Sequence, residues 1–194
     1  MSILFENSVW MVWNSVLAVL PVGFAWLYFQ TSRKFYKGIL AVLWLLYLPN
    51  SLYVISDMEH IVSQWGQVGI VERLFLLVQY AHLEVIGLSA FILSMYAYEK
   101  ELRRIFKKQK RKIVPIFIIT TNFLIGYAMV IGKVERVNSW EVFTATDNVI
   151  SAMLNVVQWD HLVGLAILFG LFGNFFYFLF RDPIIKYARS QLKN

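Results

Sequence analysis

Four of the polar side chains in the stretch LPNSLYVISDMEH, residues 48–60, recur at helical intervals: Asn50, Tyr53, Asp57 and His60. Spaced by three, four and three residues, they return to one side of a helix within an arc of about 80°. An aspartate one turn before a histidine can orient its imidazole for proton transfer, which makes Asp57 and His60 candidate catalytic residues. The same two, with His82 and His161, are candidate ligands for zinc or another divalent ion, because imidazole and carboxylate suit such a metal. Glu59 and His60 stand in the wrong order for H-E-x-x-H. The competing reading makes these histidines hydrogen-bonding members of a buried network.

A second stripe, Glu72, Gln79, His82 and Ser89, repeats at seven, three and seven. Counting about 1.5 Å per residue places Asn50 and His82 at similar depth, about 12 Å below the outer boundary of a membrane. The two stripes are expected to meet and line a polar pocket opening outward. Glu84 points about 160° away from His82, with Asn14 or Asn122 as candidate partners. The third group is GKVERVNSWE, residues 132–141. There Arg136 and Lys133 can grip a phosphate or carboxylate, flanked by Asn138, Trp140 and Glu141. Together with Asn50, Tyr53 and His82 these form the candidate substrate-binding set. Alternatively, Arg136 pairs with Glu135 or Glu141 and Trp140 only anchors the interface.

The elements that must position these residues are set by composition. Of 194 residues, 59% are hydrophobic and 15% charged, against roughly a quarter charged in a soluble domain. Five apolar runs reach the roughly 20 residues a helix needs to cross hydrocarbon: 9–29, 38–55, 74–96, 113–131 and 162–180. Nothing alternates like barrel strands, so the sequence predicts an all-α integral membrane bundle, one membrane domain over residues 1–194. Pro49 is expected to kink or break the second span by freeing the carbonyl of Leu45. Residues 98–112 are expected to continue the third. Thr144 and Asp147 suggest the start of a helix before the last span, interfacial or re-entrant. In the last span, Gly164, Gly170 and Gly173 permit close packing, while Phe175, Phe176, Phe178 and Phe180 are expected to meet lipid.

Charge gives the orientation. Arg33, Lys34 and Lys37, then Lys100, Arg103, Arg104, Lys107, Lys108, Lys110, Arg111 and Lys112, then Arg181, Lys186, Arg189 and Lys193 lie on one side; only Arg73, Lys133 and Arg136 lie on the other. The positive-inside bias places the N-terminus outside and the C-terminus in the cytoplasm. A net charge of +6 so distributed suits anionic lipid and argues against nucleic acid as a partner. Cysteine is absent, which excludes disulfides, thiolate metal sites and thiol nucleophiles. The first span lacks a basic leader and an A-x-A site and is read as a retained helix.

The motifs PNSLY…D…H and GKVERVNSWE resemble those of a bacterial membrane-protein family catalogued as domain of unknown function 1361, approximately P-N-x-P-Y…D…H and G-R-x-x-R-x-N-S-W-D. The resemblance runs from the second span to the fifth. It matches Pro49, Asn50, Tyr53, Asp57, His60, Gly132, Arg136, Asn138, Ser139 and Trp140. Ser51 and Leu52, Lys133 for arginine and Glu141 for aspartate depart from it; Lys133 keeps the charge and loses the bidentate fork. The resemblance supplies topology and residues but no activity.

Two functional classes follow for a multi-pass protein of the cell membrane. One binds, or acts as an enzyme on, a lipid or lipid-linked anionic substrate through the outward pocket. The other is non-catalytic, a solute binder, transporter subunit or assembly partner in which the polar residues are a structural network. Membrane lipids are the expected partners of both, with a homo-oligomer or a membrane partner protein in the second. Five spans are too few for an inverted-repeat transporter acting alone.

Overall fold

The structure, a computed structural model, describes residues 3–107 and 110–191, the side chains of residues 110 and 111 excepted. Of the basic residues assigned to the inner surface, Lys108 and Lys193 and the side chains of Lys110 and Arg111 lie outside what is described.

Eight α-helices and one 3-10 segment follow in order, with no strand among the described residues. They are α1 (Ile3–Gln30), α2 (Lys34–Tyr53), the 3-10 segment Val54–Met58, α3 (Glu59–Trp65), α4 (Ile70–Ile105), α5 (Lys110–Lys133), α6 (Glu141–Thr144), α7 (Thr146–Gln158) and α8 (Asp160–Gln191). Five helical segments are long and apolar enough to cross a membrane: α1, α2 continued to Trp65, α4, α5 from Lys112, and α8. Large apolar side chains stand uncovered along them, as at Val12, Val16 and Val19 of α1 and Leu168, Leu171 and Phe175 of α8. In water that surface would be costly, at about 25 cal/mol per Å², and lipid removes the cost.

The chain forms two compact units, residues 1–91 and 92–194. In the first, α1 packs along α2, and Met11, Ala18, Val54, Leu76, Tyr80 and Leu83 close an apolar core. Gly87 lets α4 approach, since a Cβ there would stand 2.8 Å from the carbonyl oxygen of Ser51. Glu72 starts α4 by accepting the Gly69 N–H at 2.7 Å, the reach-back half of a capping box.

In the second unit, α5 packs along α8. Their crossing is close because Gly126 faces the backbone of Ala166 and Gly170, and Gly170 faces Phe123. Gly173 is buried too, whereas Gly164 has no atom within 4 Å of where a Cβ would stand and serves no packing role there. Helix α7 buries Ala152 and Val156, the latter against Val130, Leu162 and Ala166.

Three local expectations change. Helix α2 continues through Pro49 without a break and tightens only at Val54, because a membrane helix can absorb one lost hydrogen bond. Helix α4 extends past the third span only to Ile105, and Lys112 belongs to α5. Helix α7 starts at Thr146 after Ala145, without a side-chain cap, and the Thr144 hydroxyl donates instead to the Trp140 carbonyl at 3.4 Å.

Candidate functional site

The 3-10 segment decides the geometry of the first motif. Five residues at about 120° each, in place of 100°, add about 100° of rotation, so Asn50 and Tyr53 do not share one stripe with Asp57 and His60. Asn50 donates its amide to the Tyr47 carbonyl at 3.1 Å, and Tyr53 is half-buried. Asp57, 4% exposed, accepts a hydrogen bond from the Asn14 amide of α1 at 3.2 Å. His60 is exposed and sets its ring edge-on to Trp10, with centroids 6.0 Å apart.

The second stripe points elsewhere. His82 is exposed, and the covered side of α4 carries Leu76, Tyr80, Leu83 and Gly87. Burying that apolar row stabilises the unit more than turning four polar groups inward would. Gln79 reaches the Leu4 carbonyl at 2.8 Å and the Ser8 hydroxyl at 2.9 Å. Near the ends of α1, α3 and α4 lies an amide network. Asn7 and Gln64 exchange hydrogen bonds at 2.8 and 3.0 Å. Trp10 donates to Asn7 at 3.0 Å and Tyr80 to Gln64 at 3.3 Å. Ser51 donates to the Ala18 carbonyl at 2.6 Å. Glu84 has neither asparagine as partner; Asn14 serves Asp57 and Asn122 donates to Asn174 at 2.9 Å, leaving Glu84 Oε1 buried without a hydrogen bond.

Among the described residues no three histidine or acidic side chains gather closely enough to hold a metal ion. Asp57 is buried while His60 and His82 are turned outward, and His161, in the other unit, rests its ring 6.0 Å from that of Trp159.

The turn after α5, wholly within the second unit, is built differently. Glu141 Oε1 accepts both the backbone N–H of Asn138, at 2.9 Å, and its side-chain amide, at 2.8 Å. Those two donors hold the Glu141 carboxyl below the ordinary carboxylate range, since both favour the charged form. Glu135 accepts the amide of Asn155 from α7 at 3.2 Å. Each acid that Arg136 was expected to pair with thus has an asparagine partner. Arg136 itself is exposed and forms no ion pair or side-chain hydrogen bond among the described residues. Its backbone is left-handed, with φ 56°, the only such non-glycine residue described. A side chain rarely adopts that conformation, and it costs about 1–2 kcal/mol. Trp140, four residues on in the same turn, is 41% exposed. Lys133 closes α5, and Ser139 is half-buried between Asn138 and Trp140.

Residues 13–175 match the sequence profile of a family described as protein of unknown function DUF1361. The chain belongs to that family. Neither curated proteins nor solved structures provide a match. In this DUF1361 chain the two motifs therefore play different parts. Asp57 is tied to α1 through Asn14, and the turn around Arg136 presents a guanidinium with no ion pair or side-chain hydrogen bond among the described residues. Sequence reasoning missed Asn7, Gln64 and Tyr80, whose signal was faint: amides and a phenol near the ends of apolar helices, with no spacing that names their partners.

Proposed function

We propose that this DUF1361 protein is a multi-pass protein of a bacterial cell membrane, N-terminus outside and C-terminus in the cytoplasm. Its 132–141 turn binds an anionic lipid headgroup or lipid-linked anionic group at the outer leaflet, without catalysis by Asp57 and His60. The observation that carries this is Arg136, held in a strained backbone conformation while both neighbouring acids are occupied by asparagines. A free guanidinium fork at a membrane surface meets phosphate oxygens and takes two of them in a bidentate contact. Lys133 adds positive charge, and Trp140 suits the headgroup layer. The charge asymmetry of the loops supports the orientation. Helix α7, with Ile150, Leu154 and Val157 uncovered, suits a position along the same interface.

The test is Arg136→Gly in the full chain, reconstituted in phosphatidylcholine nanodiscs with or without phosphatidylglycerol. Glycine removes the left-handed penalty and adds chain entropy, opposing effects of about 1 kcal/mol each, so the melting temperature should stay near wild type. Losing a charge-assisted contact of about 1.5–3 kcal/mol should weaken phosphatidylglycerol retention about tenfold or more. Equal retention by wild type and variant would overturn the proposal.

A further inference from the structure

At the other end of the second unit, where α4 leaves its apolar run and α8 nears its end, lies a cavity of about 450 Å³ lined by Tyr96, Asp182, Ile185, Lys186, Arg189 and Ser190. Its volume falls within the range of small-ligand sites. The charges around it are partly spent. Arg103 and Arg181 converge on Glu99, which is 3% exposed, at 2.5 and 3.3 Å, and the Tyr177 hydroxyl donates to the same carboxylate. Arg104 pairs with Glu101 at 2.5 Å. Asp182, the one acid in the lining, is engaged by Arg181 at 2.8 Å.

Two cations of the lining are left without a carboxylate among the described residues, Lys186 and Arg189. Arg189 is not loose. Its Nη2 donates to the Tyr96 hydroxyl, and its guanidinium carbon lies 5.8 Å from the centre of the Tyr96 ring. That fixes a fork on one wall, with the Lys186 ammonium as a further donor; the Ser190 hydroxyl is spent on the Tyr187 carbonyl at 2.7 Å. Ile185 supplies an apolar floor, 8% exposed. Donors of this kind around a cavity match a tetrahedral oxyanion with an organic substituent.

We propose that this cavity binds one phosphate ester, through Arg189 and Lys186. The ester is either the headgroup of an anionic phospholipid or a soluble phosphorylated compound. This site is separate from the turn at Arg136 and stands whether or not that turn binds lipid.

The experiment uses the full chain carrying Arg136→Gly, so that the other proposed site does not contribute. Native mass spectrometry from phosphatidylglycerol nanodiscs counts retained lipid, and a titration of lipid-free detergent protein with glycerol phosphate reads the soluble source. Lys186→Gln combined with Arg189→Gln should lose one retained lipid, or bind glycerol phosphate at least tenfold more weakly; the arm that responds names the source. Lys112→Gln, an exposed cation at the start of α5, should change neither. Should the double variant fail to fold, Arg189→Lys decides, because it keeps the charge and removes the fork; about threefold to tenfold weaker binding is expected. No response in either arm, or an equal loss in Lys112→Gln, overturns the proposal in favour of diffuse attraction.

Discussion

The Asp57 carboxylate is buried against the Asn14 amide, while the exposed His60, three residues on, sets its ring edge-on to Trp10. Removing the donor to a buried charged or polar acceptor costs more than losing one ring contact. Asn14→Ala is expected to lower stability by about 1–3 kcal/mol, and His60→Ala by no more than about 1.5 kcal/mol. Thermal unfolding in detergent ranks the two, and the reverse ranking would restore His60 to a central place. Glu141 carries a pH prediction. Its folded-state carboxyl is depressed by the two Asn138 donors. It therefore contributes stability that is present above the unfolded glutamate value, about 4.3, and lost as pH falls through the folded one. The protection of the Asn138 backbone amide from hydrogen exchange, taken relative to the intrinsic rate at each pH, should be present at neutral pH and fall in acid, and Glu141→Gln should flatten that dependence. These residue types were legible in the sequence; their pairing was not. An aspartate's partner across 43 positions leaves no local trace, whereas the short loop from Asn138 to Glu141 does.

At the scale of elements, the apolar runs were legible because hydrocarbon demands about 20 consecutive apolar residues whatever the packing. The turn from α to 3-10 geometry at Val54 was not, because it is a tertiary outcome: Val54 is buried beside Gly87, and no composition rule marks it. That single change takes Asn50 and Tyr53 off the face that carries Asp57 and His60. Glycines divide the same way. Gly126 stood unremarked in the sequence, yet a Cβ there would lie 2.4 Å from the Ala166 carbonyl oxygen and 2.5 Å from the Gly170 nitrogen. Both are backbone atoms with no flexible tip to yield, so α5 and α8 would have to separate. Gly126→Ala is expected to cost about 1–3 kcal/mol or more. Gly164→Ala, with nothing within 4 Å, should be neutral or gain up to about 1 kcal/mol from helix propensity. Melting curves of the two variants side by side check the assignment of the crossing point.

For the whole molecule, the proposed orientation assigns the two proposed phosphate sites to opposite leaflets. By the sequence reading, fifteen of the eighteen lysines and arginines fall in the segments assigned to one side and Arg73, Lys133 and Arg136 in those assigned to the other; retaining the larger set in the cytoplasm is what the insertion bias favours. Because the chain has no cysteine, a single introduced thiol reports without background. Gln67→Cys, in the exposed turn before α4, and Asn148→Cys, on the exposed side of α7, should react in intact cells with a membrane-impermeant maleimide. Ser32→Cys, between α1 and α2, and Lys107→Cys, after α4, should react only once the membrane is opened. The opposite pattern would place the Arg136 turn against the cytoplasmic leaflet and the Arg189 cavity outside. Arg136 would then face the leaflet where anionic lipid is already abundant, and its selectivity for an outer, lipid-linked group would lose its physical basis.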